Sequence, residues 1–194
     1  MSEKETLTVE YFENVYAAAA DPWNFATSPY EAEKYRATLA ALTREKYSDV
    51  FEIGCSIGVL TKKLAVRCER LLSIDVSERA LAQARRRCAD LPNVTFKKMS
   101  VPQEFPVKKF DLVLISEVGY YLSEIDWLSA MEKVFAHLTE KGQIVLVHWR
   151  PVVDDYPQTG DRVHASFARF AREKLRRLNQ KLTEKYRLDV WEKL

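Results

Sequence analysis

The feature that most constrains this chain is an alternation. Short runs that are almost wholly apolar, such as Leu112-Val113-Leu114-Ile115 and Ile144-Val145-Leu146-Val147, alternate with longer segments of helical spacing. Strands that are apolar on both faces suit a parallel sheet covered by helices on each side, rather than a sheet with one wet face. The same runs fall far short of the roughly 18 apolar residues a membrane helix needs.

The helices and strands follow from local signals. A helix is expected over 8–19. Ser28 as N-cap, Pro29 at the first helical position and Glu31 two residues later start another, running to about residue 42. Beyond it the expected order is strand 49–53, helix 59–68, strand 70–74, a Ser77-capped helix through 88, then strands 94–98 and 110–116. Ser123 and Asp126 open a helix carrying Ile125, Leu128, Met131, Phe135 and Leu138, ended by Lys141-Gly142, and a strand follows over 143–149. The tail has helical spacing from residue 167. The stretches 174–182 and 186–191 can pair, so the reading is a helix followed by a hairpin. The fold class expected is α/β, a doubly wound, mostly parallel Rossmann-like sheet with a C-terminal antiparallel hairpin. It forms one domain over 1–194, with 1–44 as a helical cover.

Charge excludes little by itself, because 30 basic and 28 acidic residues leave a net +2. The basic excess lies after residue 160, with Arg169, Arg172, Arg176 and Arg177. No nucleic-acid motif accompanies it, and a solvated face is the expected reading. Three cysteines without a CxxC pair fit reduced thiols and no metal site. Met1-Ser2-Glu3-Lys4-Glu5 lacks the basic start and apolar stretch of a signal peptide, so a cytoplasmic protein with no membrane partner is expected.

In open α/β sheets, ligands bind beyond the carboxyl ends of the strands. The first such end reads Glu52-Ile53-Gly54-Cys55-Ser56-Ile57-Gly58, where Gly54 permits a tight turn and Gly58 permits close packing or ligand approach. Asp75 follows 23 residues after Glu52, at the end of the second strand. A carboxylate there can accept both hydroxyls of a ribose. The loop lacks the GxGxxG spacing of a pyrophosphate-binding turn, which disfavours a dinucleotide.

The ExGxxxG pattern, Asp75, the strand Phe110-Asp111-Leu112-Val113-Leu114 and the terminal hairpin resemble class I S-adenosylmethionine-dependent methyltransferases. Asp21-Pro22-Trp23, Ser28-Pro29-Tyr30-Glu31, the glycine loop, Ser116-Glu117-Val118-Gly119-Tyr120-Tyr121-Leu122 and Val147-His148-Trp149-Arg150 are similar to the nodulation NodS family. That family N-methylates the deacetylated glucosamine of chitooligosaccharides. The resemblance implies S-adenosylmethionine as cofactor, with S-adenosylhomocysteine as product. It assigns the cofactor to Trp23, Tyr30, Glu52, Gly54, Ser56, Gly58, Asp75, Val76, Ser100, Val101 and Ser116. The class often has glycine where this chain has Ser56, and an acid near Met99-Ser100.

Methyl transfer is an in-line displacement that requires alignment and exclusion of water. For an amine acceptor, Glu117 or His148 is the candidate to take its proton or hold it, the alternatives being a surface loop acid for Glu117 and a strand-end histidine in a structural bond for His148. Tyr120, Tyr121 and Trp149 are the expected acceptor wall, or else core aromatics. Trp23, Phe25 and Tyr30 either close over the cofactor or dock the helices beneath them. An amino-sugar N-methyltransferase leads; a small-molecule O-methyltransferase and a non-catalytic cofactor-binding module are the alternatives.

Overall fold

The computed structural model describes residues 4–194, and hydroxyl side chains open five of its helices. Thr8, Ser28, Ser77, Ser123 and Thr159 each accept an amide from the first turn that follows. Such caps contribute about 1 kcal/mol apiece. The chain divides into two compact units, Thr8–Ser100 and Val101–Leu194, the second including residues 4–7.

The first unit runs α1 (Val9–Ala18), α2 (Pro29–Ala40), β1 (Tyr47–Ile53), α3 (Val59–Leu64), a 3-10 turn, β2 (Cys68–Asp75), α4 (Glu78–Arg87) and β3 (Val94–Lys98). Strand β2 pairs in parallel with β1 and β3, in a register that puts Glu52 beside Ser73 and Asp75 beside Lys98. Phe51, Leu64, Leu71, Ile74 and Leu81 are buried. The helix expected over 59–68 is shorter than predicted, because the 3-10 turn Ala65–Arg67 ends it and Cys68 already belongs to β2.

The second unit runs β4 (Phe110–Ser116), a 3-10 turn (Gly119–Tyr121), α5 (Glu124–Ala136), β5 (Leu138–Trp149), α6 (Gly160–Phe170), β6 (Leu175–Leu182) and β7 (Tyr186–Lys193). Strand β4 is parallel to β5. The last strand, β7, pairs antiparallel with β5 on one side and β6 on the other. The strands of the two units are those of the expected doubly wound, mostly parallel α/β fold with its terminal hairpin.

Two local expectations are corrected here. Leu138 starts β5 instead of continuing α5, and Lys141, with φ +58°, lies inside that strand where the β4–β5 register shifts. The buried stripe of α5 is Trp127, Ala130, Met131 and Val134. Ile125 and Leu128 are exposed and line an open groove of about 790 Å³ between α5 and α6, together with Arg162, Arg169 and Phe170.

The basic tail has a local use. Strand β6 is exposed along most of its length, and its cations lean onto the neighbouring strand. Arg176 pairs with Glu192 at 2.9 Å, Arg177 lies over Trp191 and Lys181 over Tyr186. Charges on an edge strand oppose further strand addition.

Candidate active site

In the first unit the site is built at the carboxyl ends of β1 and β2. Gly54, Ser56 and Gly58 all have positive φ, at +82°, +50° and +79°. Alternate residues in this conformation curl the chain between β1 and α3. The amides of Gly54 and Cys55 both donate to the Ile74 carbonyl at 2.9 Å, Ser56 N–H donates to Asp75 Oδ2 at 2.8 Å, and Gly58 N–H donates to Cys55 O at 2.9 Å. These four donors are turned inward and satisfied. A phosphate cradle needs amides aimed at the ligand, and these four are turned away from one.

Asp75 is half-buried and also accepts from Ser77 N–H at 2.9 Å through Oδ1. Burial raises its pKa to about 6, against backbone amides that lower it. Each carboxylate oxygen retains capacity for a second donor. The fit to a neutral diol is therefore good. Val76 is half-buried beside it.

Ser56 stands where the related pattern favours glycine, and its left-handed backbone has a brace. Tyr16 of α1 places its hydroxyl 2.5 Å from Ser56 Oγ. Burial and the nearby Asp75 charge push the Tyr16 phenol far above its ordinary range, so it stays protonated. Tyr16 packs with Ile57 and Ala80, and Trp23, Phe25 and Val59 lie against that cluster. Trp23 meets Tyr16 edge-on at 5.7 Å and stacks on Phe25 at 5.4 Å. Asp21 shapes this segment by accepting the amides of Phe25 and Ala26 at 2.8 Å. Glu13 accepts the first amide of α4, from Glu78, at 2.7 Å. The aromatic cover thus docks on the glycine loop through Ile57. Tyr30 is half-buried in α2, with the Lys34 ammonium 5.3 Å from its ring centre. Tyr16 is the residue sequence reasoning missed, since 40 residues separate it from Ser56.

Two residues expected to touch the cofactor serve the loop instead. Glu52 is 1% exposed, and its Oε2 accepts the hydroxyls of Thr61 and Ser73 at 2.7 Å, tying β1 to α3 and β2. Burial raises it to about 7, against those two bonds. Gly58 is a packing residue: a Cβ there would lie 2.9 Å from Ala84 Cα. Ser100 is half-buried after β3, while Val101 and Ser116 belong to the second unit, where both are buried.

In the second unit, Glu117 follows β4 with φ +59°, and its amide donates to Val147 O at 2.8 Å. Its Oε2 accepts the Tyr120 hydroxyl at 2.6 Å and the Trp149 amide at 2.8 Å. Tyr120 stacks on Tyr156 at 5.2 Å, and Tyr121 meets both rings edge-on. The structure therefore brings Glu117, Tyr120, Tyr121 and the Trp149 backbone together and adds Tyr156, which has no helical or strand periodicity to reveal it.

His148 is not placed to act as a base. It is fully buried, its Nε2 accepts Gly119 N–H at 3.0 Å and its Nδ1 lies 3.1 Å from His164 Nε2. The structural alternative holds for this residue.

Among the described residues no cluster of His, Cys, Asp or Glu is arranged to hold a metal, and no helix is long and apolar enough to cross a membrane.

This glycine loop, the acid ending the second strand and the terminal hairpin define the fold of class I S-adenosylmethionine-dependent methyltransferases. The model of the family described as Nodulation protein S (NodS) matches residues 10–180, and the chain belongs to that family. Nodulation protein S of Sinorhizobium fredii (strain NBRC 101917 / NGR234) is 32% identical over 130 residues, covering 66% of this chain and 60% of that relative. The Rhizobium tropici protein is 35% identical over 109 residues, 56% of this chain and 46% of its own length. The chain thus spans about half to three-fifths of these relatives. The crystal structure of N-methyltransferase NodS from Bradyrhizobium japonicum WM9 with S-adenosyl-L-homocysteine superposes with a TM-score of 0.81 at 23% identity, covering 95% of this chain and 98% of that one.

Two outcomes follow from the loop. Gly58→Ala should destabilise the fold by about 2 kcal/mol in urea denaturation, since it adds a left-handed cost to a contact with helix backbone. Glu52 carries a pKa above its unfolded value, so the stability its protonated form contributes is present at low pH and lost as pH rises through about 7. Glu52→Gln cannot ionise, and should gain on the wild type by up to about 3 kcal/mol between pH 5 and pH 8. A difference independent of pH would show that Glu52 is not the titrating group.

Proposed function

We propose that this chain is an S-adenosylmethionine-dependent N-methyltransferase acting on the free amine of a deacetylated chitooligosaccharide or a related amino sugar. The observation that carries the reading is Glu117, a carboxylate set at a strand end in a left-handed conformation and bonded to Tyr120, whose ring packs with those of Tyr121 and Tyr156. Aromatic faces pack against sugar rings and favour nearby cations, and a carboxylate holds an amine by charge-assisted bonds.

Bound S-adenosylmethionine supplies an electrophilic methyl group. Asp75 accepts the ribose diol, while Gly54 and Ser56 shape the turn beside it, with Tyr16 holding Ser56 and Trp23 covering the loop. The inward-turned amides support this cofactor over a phosphate-bearing one. The S-adenosyl-L-homocysteine complex of the Bradyrhizobium NodS supports it independently. Tyr30, Val76, Ser100, Val101 and Ser116 are assigned to the cofactor on family resemblance alone. Glu117 orients the acceptor nitrogen and offsets the positive charge that nitrogen gains as it is methylated, and Tyr120, Tyr121 and the half-buried Trp149 exclude water around it.

Engagement of the basic tail in the β6–β7 hairpin supports a small-molecule acceptor over nucleic acid. Three free, buried thiols accord with a reducing cytoplasm.

The test is mass spectrometry of chitooligosaccharides incubated with labelled cofactor. Deacetylated sugars should gain the methyl group on nitrogen, and fully N-acetylated ones should not, because the amide delocalises the lone pair. Equal labelling of both would transfer the assignment to oxygen. Turnover should rise with pH as the amine loses its proton, and Glu117→Gln should lower kcat with little change in cofactor affinity.

A second measurement isolates the cofactor half. Asp75→Ala should weaken S-adenosylhomocysteine binding by about 1–3 kcal/mol. The wild-type affinity should fall as pH drops through about 6, where Asp75 gains a proton, and the variant should lose that step. Calorimetry at pH 5 and 8 reads both.

A further inference from the structure

Behind Glu117 and Tyr120 lies a row of buried polar side chains that methyl transfer does not by itself require. His148 from β5, His164 from α6 and Asp189 from β7 are each fully buried. His148 Nδ1 lies 3.1 Å from His164 Nε2, and His164 Nδ1 lies 2.6 Å from Asp189 Oδ2. Arg187 Nε donates to the same Oδ2 at 2.9 Å.

The geometry fixes where the protons are. A backbone amide can only donate, so Gly119 N–H gives its hydrogen to His148 Nε2, which must carry a lone pair. In a neutral imidazole the ring hydrogen then sits on Nδ1. It donates to His164 Nε2, which forces the His164 hydrogen onto its own Nδ1, facing the carboxylate. Burial holds His164 below its usual range despite Asp189. Burial pushes Asp189 upward, yet the hydrogen bond from His164 and the charges of Arg187 and Arg177 hold it below its usual range. A neutral histidine pair ending on an ionised carboxylate accounts for each of these bonds, and Asp189 Oδ1 is buried with no hydrogen-bond partner among the described residues.

The far end of the row is the turn Gly119–Tyr121. No side chain fits at residue 119, where a Cβ would lie 2.6 Å from Val163 Cγ1 and 3.0 Å from His148 Nε2. The turn carries Tyr120, whose ring meets His148 edge-on at 5.4 Å and whose hydroxyl donates to Glu117. The Gly119 amide thus ties the turn to His148, while Gln158 N–H donates to Tyr120 O at 3.1 Å and Leu7 N–H to Tyr121 O at 2.9 Å from the other side of the turn.

We propose that Asp189, His164 and His148 form a tautomer-setting relay that positions the Gly119–Tyr121 turn, and through it Tyr120 and Glu117, for the acceptor. This rests on the reading of Glu117 and Tyr120 as acceptor residues. The three relay members are positioning residues, since each acts through another group.

Nitrogen-15 NMR of ring-labelled full-length protein tests the relay without turnover. Both histidines should be neutral with the hydrogen on Nδ1 at pH 7.5, and an Nε2–H tautomer at either overturns the proposal. His148→Leu removes the acceptor for Gly119, whereas His148→Gln offers an amide oxygen near the old Nε2. Exchange of the Gly119 amide should accelerate in the leucine variant and stay protected in the glutamine variant. Acceptor KM should rise about tenfold in His148→Leu, the scale of one buried hydrogen bond. It should stay within about twofold in His148→Gln, with S-adenosylhomocysteine affinity unchanged in both. Identical behaviour of the two variants in exchange rejects the positioning role. If the wild type methylates no amine at all, the proposed function fails, while the tautomer and exchange results still decide the relay.

Discussion

The Ile74 carbonyl and the Asp75 carboxylate, at the end of β2, set the terms for the first unit. They take the amides of Gly54, Cys55 and Ser56 and bend the chain leaving β1 into a tight loop. A loop that has used its donors this way is poor at binding phosphate, and what remains to recognise a ligand is acceptor chemistry. Hydrogen bonds internal to the protein therefore leave the Asp75 carboxylate as the acceptor this loop presents. Glu52 reinforces the same bend from below, through Thr61 and Ser73.

Both units place buried ionisable groups where they orient backbone rather than react. Glu52 and Asp75 hold the loop. The His148 row ends on the amide of a turn. Each buried polar atom that is bonded in this way avoids a desolvation penalty of about 1–3 kcal/mol and fixes a direction that apolar packing would leave loose.

The parts legible in the sequence are those whose cause is local. Ser28-Pro29-Tyr30-Glu31 marked the start of α2, the strands β3 and β4 fell at their expected bounds, and the turn at Gly54 and Gly58 with Asp75 after it stood out by spacing within one βαβ unit, whereas Ser56 came from the family resemblance. The buried stripe of α5 was misjudged because the helix has two apolar stripes. Ile125 and Leu128 alternate with Trp127 and Met131, and tertiary packing decides between them. Leu138 looked helical because a register shift in β5 mimics a helix end at Lys141-Gly142. Tyr16, Tyr156, His164 and Asp189 were hidden for a different reason: their partners are distant in sequence, and only topology brings them together. Glu52 and His148 were noticed as polar residues at strand ends, where reactive and structural roles share one signature until burial separates them.

The antiparallel pairing of β7 has a consequence for assembly order. Strand β5 is completed at residue 149, but its second neighbour is not made until residues 186–193. Through that interval of synthesis, one side of a strand whose centre is the apolar run Ile144–Val147 has its amides and carbonyls unmatched. The same eight residues supply Asp189, so closing the sheet and setting the His164 proton are a single event, and a chain shortened before residue 189 loses both together.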